Sequence, residues 1–107
     1  MRLGILGSES RRSTRLDVRF GAGLREPGSP KRFPIDILDL SLTGFRCETT
    51  FKLFPGNAVF VTIPSLGAIE ATVAWADGYI YGCKFDRPLH NAVFDHIART
   101  HGGGTSK

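Results

Sequence analysis

A chain of 107 residues, 41% hydrophobic and 22% charged, has room for one modest core and the composition of an ordinary globular domain. No run approaches the roughly 18 consecutive apolar residues of a membrane span, and the opening MRLGILGSES is too weakly apolar for a secretory signal, so a cytoplasmic protein without membrane insertion is expected. The formal net charge of +4 lies wholly in residues 1–46, with nine Lys/Arg against five Asp/Glu, whereas residues 47–107 carry five of each sign; an anion would be drawn to the N-terminal part.

Residues 1–10 have no useful periodicity and are expected to form a flexible lead-in to a single domain over residues 11–101. RLDVRF then alternates, with Leu16, Val18 and Phe20 on one side and Arg15, Asp17 and Arg19 on the other, which reads as a half-buried strand. Pro27-Gly28 suits a turn, and a second strand runs from Phe33 through Ile35 and Ile37, with Pro34 tolerated near a strand start. After Gly44, FRCETT places Phe45 and Cys47 inward and Arg46 and Glu48 outward. FPGN turns the chain into AVFVTI, a strand rich in β-branched residues. PSLG turns it again, and AIEATVAW is expected to point Ile69, Ala71, Val73 and Trp75 to one face. Asp77-Gly78 is a strong hairpin signal leading into YIYGCKF.

Six strands at short, regular spacing argue for a mainly β fold, a six-stranded antiparallel β-barrel or a sandwich in preference to an α/β sheet. The period then changes: Leu89, Val93 and Ile97 recur every four residues, Pro88 suits a first helical turn, and the glycines from Gly102 suit a stop. One amphipathic C-terminal helix of about three turns is predicted, covering an open end or side of the barrel, followed by a flexible tail over residues 102–107. Cys47 and Cys83 sit in strand-like runs and read as two buried free thiols. His90, His96 and His101 lack the spacing and neighbours of a zinc site.

Two motifs carry chemistry. RRSTR, Arg11 to Arg15, leads into the first strand, and DLSLTG, Asp39 to Gly44, ends the second. An antiparallel pair brings the start of one strand beside the end of the next, so the motifs are expected to be spatial neighbours. Guanidinium forms paired hydrogen bonds with phosphate oxygens and with the O6 and N7 acceptors of guanine. A carboxylate accepts from the donors on guanine's Watson–Crick edge, serine adds a short hydroxyl, and glycine permits a tight turn or close approach. Arg46 and Lys84 fall on outward faces from which a phosphate can be held. Trp75, Tyr79 and Tyr81 read chiefly as core or cross-strand aromatics, with a stacking surface as the less favoured reading.

R-x-x-x-R followed some two dozen residues later by D-x-S-x-x-G resembles the signature of PilZ domains, bacterial receptors for cyclic di-GMP. Arg11 and Arg15 match the first part, Arg12 stands where an extra arginine is frequent, and Asp39, Ser41 and Gly44 match the second. The likeness continues through the VAW strand, the strand ending in GCKF and the PL that opens a helix, over roughly residues 9–100. The resemblance implies that Arg11, Arg12 and Arg15 hold phosphates and guanine edges, that Asp39 and Ser41 contact a guanine, and that Gly44 shapes the turn. It implies one cyclic di-GMP or a stacked pair per chain, a choice influenced by the residue before the arginines, here Ser10.

No nucleophile–base pair, paired carboxylates or metal cluster can be assembled from these motifs, so binding without turnover and without a cofactor is expected. The expected function is a cyclic di-GMP receptor or adaptor whose N-terminal arginine arm becomes ordered on the ligand and signals to a protein partner. Ordering five arm residues costs on the order of 5–10 kcal/mol, so several contacts to a ligand with two phosphates and two guanines are needed, and GMP should bind poorly. The alternative is a PilZ-like adaptor that works through protein contacts alone. A barrel for single-stranded nucleic acid is disfavoured, because the basic residues gather before the first strand and in the first connection and are not interleaved with exposed aromatics.

Overall fold

The computed structural model describes residues 15–101. Six antiparallel strands appear in chain order: β1 Leu16–Arg25, β2 Arg32–Leu40, β3 Gly44–Glu48, β4 Ala58–Ile63, β5 Gly67–Asp77 and β6 Ile80–Phe85. One helix, α1 Asn91–His101, follows. The strands close into a barrel in the order β1-β2-β3-β6-β5-β4. The lead-in expected over residues 1–10, Arg11, Arg12 and the tail over residues 102–107 lie outside the described residues.

Alternation in the sequence becomes an inside and an outside. Val18, Phe20, Leu24, Ile35, Ile37, Phe45, Cys47, Val59, Val61, Ala71, Val73, Cys83 and Phe85 line the interior, while Arg19, Asp36, Arg46 and Lys84 face out. Each fully buried aliphatic or aromatic side chain in that core contributes roughly 1.5–3 kcal/mol relative to exposure. Cys47 and Cys83 are buried and free, as expected. The hydrogen bond with Cys83, burial, and charge repulsion from Cys83 all push the Cys47 thiol far above its ordinary range.

The closing seam is short. β1 meets β4 only from Gly23↔Thr62 to Arg25↔Phe60, leaving the first part of β1 without a strand partner on that side. Helix α1 packs on β1, with Ile97 fully buried and the His101 ring stacked on Phe20 at 4.2 Å between centroids. This is the covering role expected of the helix.

Two details depart from simple alternation. The last hairpin pairs Asp77 with Ile80, so its two-residue loop is Gly78-Tyr79, with Gly78 at φ +64° in the first loop position. That suits a type II′ turn, whose first central residue needs positive φ. A register shift between Val73 and Trp75 then changes the parity of β5. Trp75, expected to share a face with Ile69, Ala71 and Val73, instead lies on the outer wall, 42% exposed. One inserted residue sends every later side chain to the opposite face.

Candidate functional site

The turn between β2 and β3 is built by the residues of the D-x-S-x-x-G stretch themselves. Ser41 is only 2% exposed. Its hydroxyl accepts from the backbone N–H groups of Thr43 and Gly44, each at 3.2 Å, and lies 3.3 Å from the Gly44 carbonyl. Its own N–H donates to that carbonyl at 2.8 Å. A serine side chain that replaces strand hydrogen bonds in this way fixes a tight reversal. Gly44 is needed for a different reason: a Cβ there would collide with the Cys83 carbonyl on β6. With no side chain at Gly44, β3 and β6 pack at full strand proximity from their first residue pair, Gly44↔Lys84. The next turn is tied down as well, because Phe85 donates its N–H to Thr43 O at 2.8 Å and Leu89 to Leu42 O at 2.8 Å.

Above that turn sits Asp39, 3% exposed, with both carboxylate oxygens engaged. Arg15 Nη1 donates to Oδ1 at 2.8 Å, and Arg46 Nε donates to Oδ2 at 2.6 Å. The antiparallel register makes this possible, since Leu16 pairs with Leu40 and Asp39 pairs with Arg46. The two arginine side chains are 51% and 44% exposed, so one buried anion holds two half-exposed arginines. The local sum is one unit positive, before Lys84 on the neighbouring strand is added.

The outer wall continues from this group in one row. Arg46 on β3 pairs with Gly82 on β6, and Gly82 pairs with Trp75 on β5. A Cβ on Gly82 would run into the Trp75 indole, so the ring lies across the β6 backbone there. A dent of about 190 Å3 opens between these residues, lined by Arg15, Gly44, Arg46, Trp75, Gly82 and Lys84 among others. It is smaller than the ~300–1,000 Å3 clefts that enclose drug-sized ligands, so it is a landing surface with one side open.

A larger cavity, about 700 Å3, lies elsewhere on the outer wall over Gly21 and Gly23, with Pro34, Phe51 and Tyr79 on its sides. It contains none of the arginine or D-x-S-x-x-G residues. Its size is apolar groove, and its charges, Arg32 against Asp36 and Glu48, oppose one another, so it lacks the convergent cations an anionic ligand requires.

Of the six residues singled out in the sequence, Arg15, Asp39, Ser41 and Gly44 converge within one corner of the barrel; Arg11 and Arg12 lie outside the described residues. Two further groups belong to the corner. Arg46 was legible as outward but not as a partner of Asp39. Trp75 reaches the corner from the outer face, against the alternation of AIEATVAW, because of the bulge in β5. Among the described residues no group of three or more His, Cys, Asp or Glu side chains is placed to hold a metal ion. No helix among them is long and apolar enough to cross a membrane.

Compared with family models, the chain matches the PilZ domain over residues 9–100. No curated protein matches it.

Proposed function

The chain belongs to the PilZ domain family, whose members are typically non-catalytic receptors and commonly bind cyclic di-GMP, and from that membership we propose that this barrel is a cyclic di-GMP receptor reading its ligand on the wall formed by β2, β3, β6 and β5. The observation that carries the reading is the pair of hydrogen bonds from Arg15 and Arg46 to Asp39, which gathers the last arginine of R-x-x-x-R and the aspartate of D-x-S-x-x-G into one charged corner.

The chemistry follows from what each group has left to offer. Each guanidinium has a planar fork of donors and uses only part of it on Asp39, which leaves N–H groups for phosphate oxygens or for guanine O6 and N7. Asp39 keeps both guanidiniums at a fixed separation before the ligand arrives. A guanine that approaches with its N1–H and amino donors competes for one carboxylate oxygen, and the displaced guanidinium turns to a phosphate. The Trp75 indole supplies the flat apolar surface that a purine requires, worth roughly 1–3 kcal/mol per stacked base. Ser41 and Gly44 serve by holding the turn. On this reading Arg11 and Arg12, four and three residues before Arg15, supply further donors to the ligand, and ordering that arm on the ligand creates the surface a protein partner senses.

Binding without turnover fits the group inventory. The Ser41 hydroxyl is engaged within its own turn. His96 lies near Ser65 at 3.5 Å, on the turn after β4 and away from the charged corner. The alternative of an adaptor independent of nucleotide draws support from the groove beside Phe51 and Tyr79, which are 44% and 64% exposed.

Isothermal calorimetry with cyclic di-GMP, GMP and a single-stranded oligonucleotide separates the readings. Saturable heat with cyclic di-GMP and little with the other two is expected. No heat with any of the three would leave the adaptor reading, and heat with the oligonucleotide alone would overturn both.

A further inference from the structure

We infer that Gly82 is a positioning residue for nucleotide recognition: its missing side chain lets the Trp75 indole pack directly on the β6 backbone beside Arg46, where the ring is available to stack with a purine. This rests on the reading of the charged corner as the cyclic di-GMP site. Gly82 is buried mid-strand, where glycine weakens a sheet by roughly 0.5–1 kcal/mol relative to alanine, and it occupies no turn and has no positive φ. A close approach is therefore the reason for it. The approach is that of Trp75, whose Cε2 and Nε1 atoms stand where a Cβ on Gly82 would be.

The neighbouring strands fix the consequence. Gly82 is the register partner of Arg46 on one side and of Trp75 on the other. The indole and the guanidinium thus flank one side-chain-free position, two strand spacings apart, or about 10 Å between their backbones. That interval accommodates a purine stacked on the indole with its O6 and N7 edge toward the guanidinium. With a methyl group at position 82 the indole must lift or rotate away from the β6 backbone. Arg46, Asp39 and Arg15 keep their contacts, so the loss is confined to the stacking half of the site.

Trp75 is the single tryptophan, so its emission reports this position alone. The experiment is a double-mutant cycle by calorimetry with cyclic di-GMP: wild type, Gly82→Ala, Trp75→Leu and the double variant, each with a thermal melt. Gly82→Ala and Trp75→Leu are each expected to weaken binding by about tenfold, within the range of one base–aromatic stack. Adding Gly82→Ala to Trp75→Leu is expected to cost nothing more. Equal affinity of Gly82→Ala and wild type overturns the inference while leaving the receptor reading intact, and so does an additive loss in the double variant, which marks a purely structural role. If wild type itself does not bind, both fall.

Should Gly82→Ala melt below the titration temperature, the unmodified chain decides the matter. Saturating cyclic di-GMP is expected to shield Trp75 from acrylamide quenching. Binding heat with quenching unchanged would overturn the inference.

Discussion

Asp39 and its two arginines are unequal partners, because the carboxylate is buried and the guanidiniums are half in water. Removing both arginines strands a buried charge, the situation that costs about 3–5 kcal/mol. Removing the carboxylate only releases two cations that can rehydrate. We therefore expect the Arg15→Ala/Arg46→Ala double variant to melt well below Asp39→Ala, by ten degrees or more at roughly 4–8 °C per kcal/mol for a domain of this size. Arg15→Ala alone leaves Asp39 paired with Arg46, so its melt should drop only a few degrees while affinity for cyclic di-GMP falls at least tenfold. Wild-type affinity in Arg15→Ala would remove Arg15 from the site. A double variant as stable as Asp39→Ala would mean that the carboxylate is not buried in solution.

At the level of strands and turns, most of the barrel was readable because alternation is a local property. Each run from Leu16 to Phe85 declared its inner face through Val, Ile, Phe and Cys at every second position. The helix was equally readable from Leu89, Val93 and Ile97. What escaped was set by a neighbour. The parity of Trp75 depends on one extra residue accommodated opposite β6, and nothing in AIEATVAW announces a bulge. The contact between Arg46 and Asp39 depends on how β2 and β3 register after another irregularity between Ile37 and Asp39. The groove over Gly21 and Gly23 arises because both glycines face outward on one strand, a pattern visible in RFGAGL only once the strand is known to run on to Arg25.

The same level makes a prediction about Gly44. A methyl group there meets a backbone carbonyl, which cannot swing aside as a side chain can. Gly44→Ala should lower the melt by more than ten degrees and loosen the β3–β6 pairing, seen as faster amide exchange at Cys83 and Phe85. Were it as stable as wild type, the close approach of these strands would be wrong. The corresponding change at Gly21, where a Cβ meets nothing within 4 Å, should be nearly silent.

Considered whole, the molecule separates its charge by region. The excess of +4 resides in residues 1–46, which supply Arg15 and Arg46 to the candidate site, whereas the remainder is neutral. Attraction of a doubly charged ligand to such a face weakens as salt shortens the screening length from ~10 Å at 0.1 M to ~3 Å at 1 M. The dissociation constant for cyclic di-GMP should accordingly rise several-fold between 0.1 and 1 M salt. The short-range hydrogen bonds to the guanine edge should persist, so that cyclic di-AMP, offering the same phosphates without that edge, binds more weakly at every salt concentration. Equal affinity for the two dinucleotides would deny Asp39 and the arginines any part in reading the base.

In the ligand-free chain Asp39 already occupies the guanidiniums as a resident surrogate for phosphate. If the proposed reading holds, cyclic di-GMP meets a corner that is internally satisfied, and must outcompete an anion present at the very high effective concentration of a neighbour on the same scaffold. On the proposed reading, those two short contacts raise the concentration of cyclic di-GMP at which half the chains are occupied.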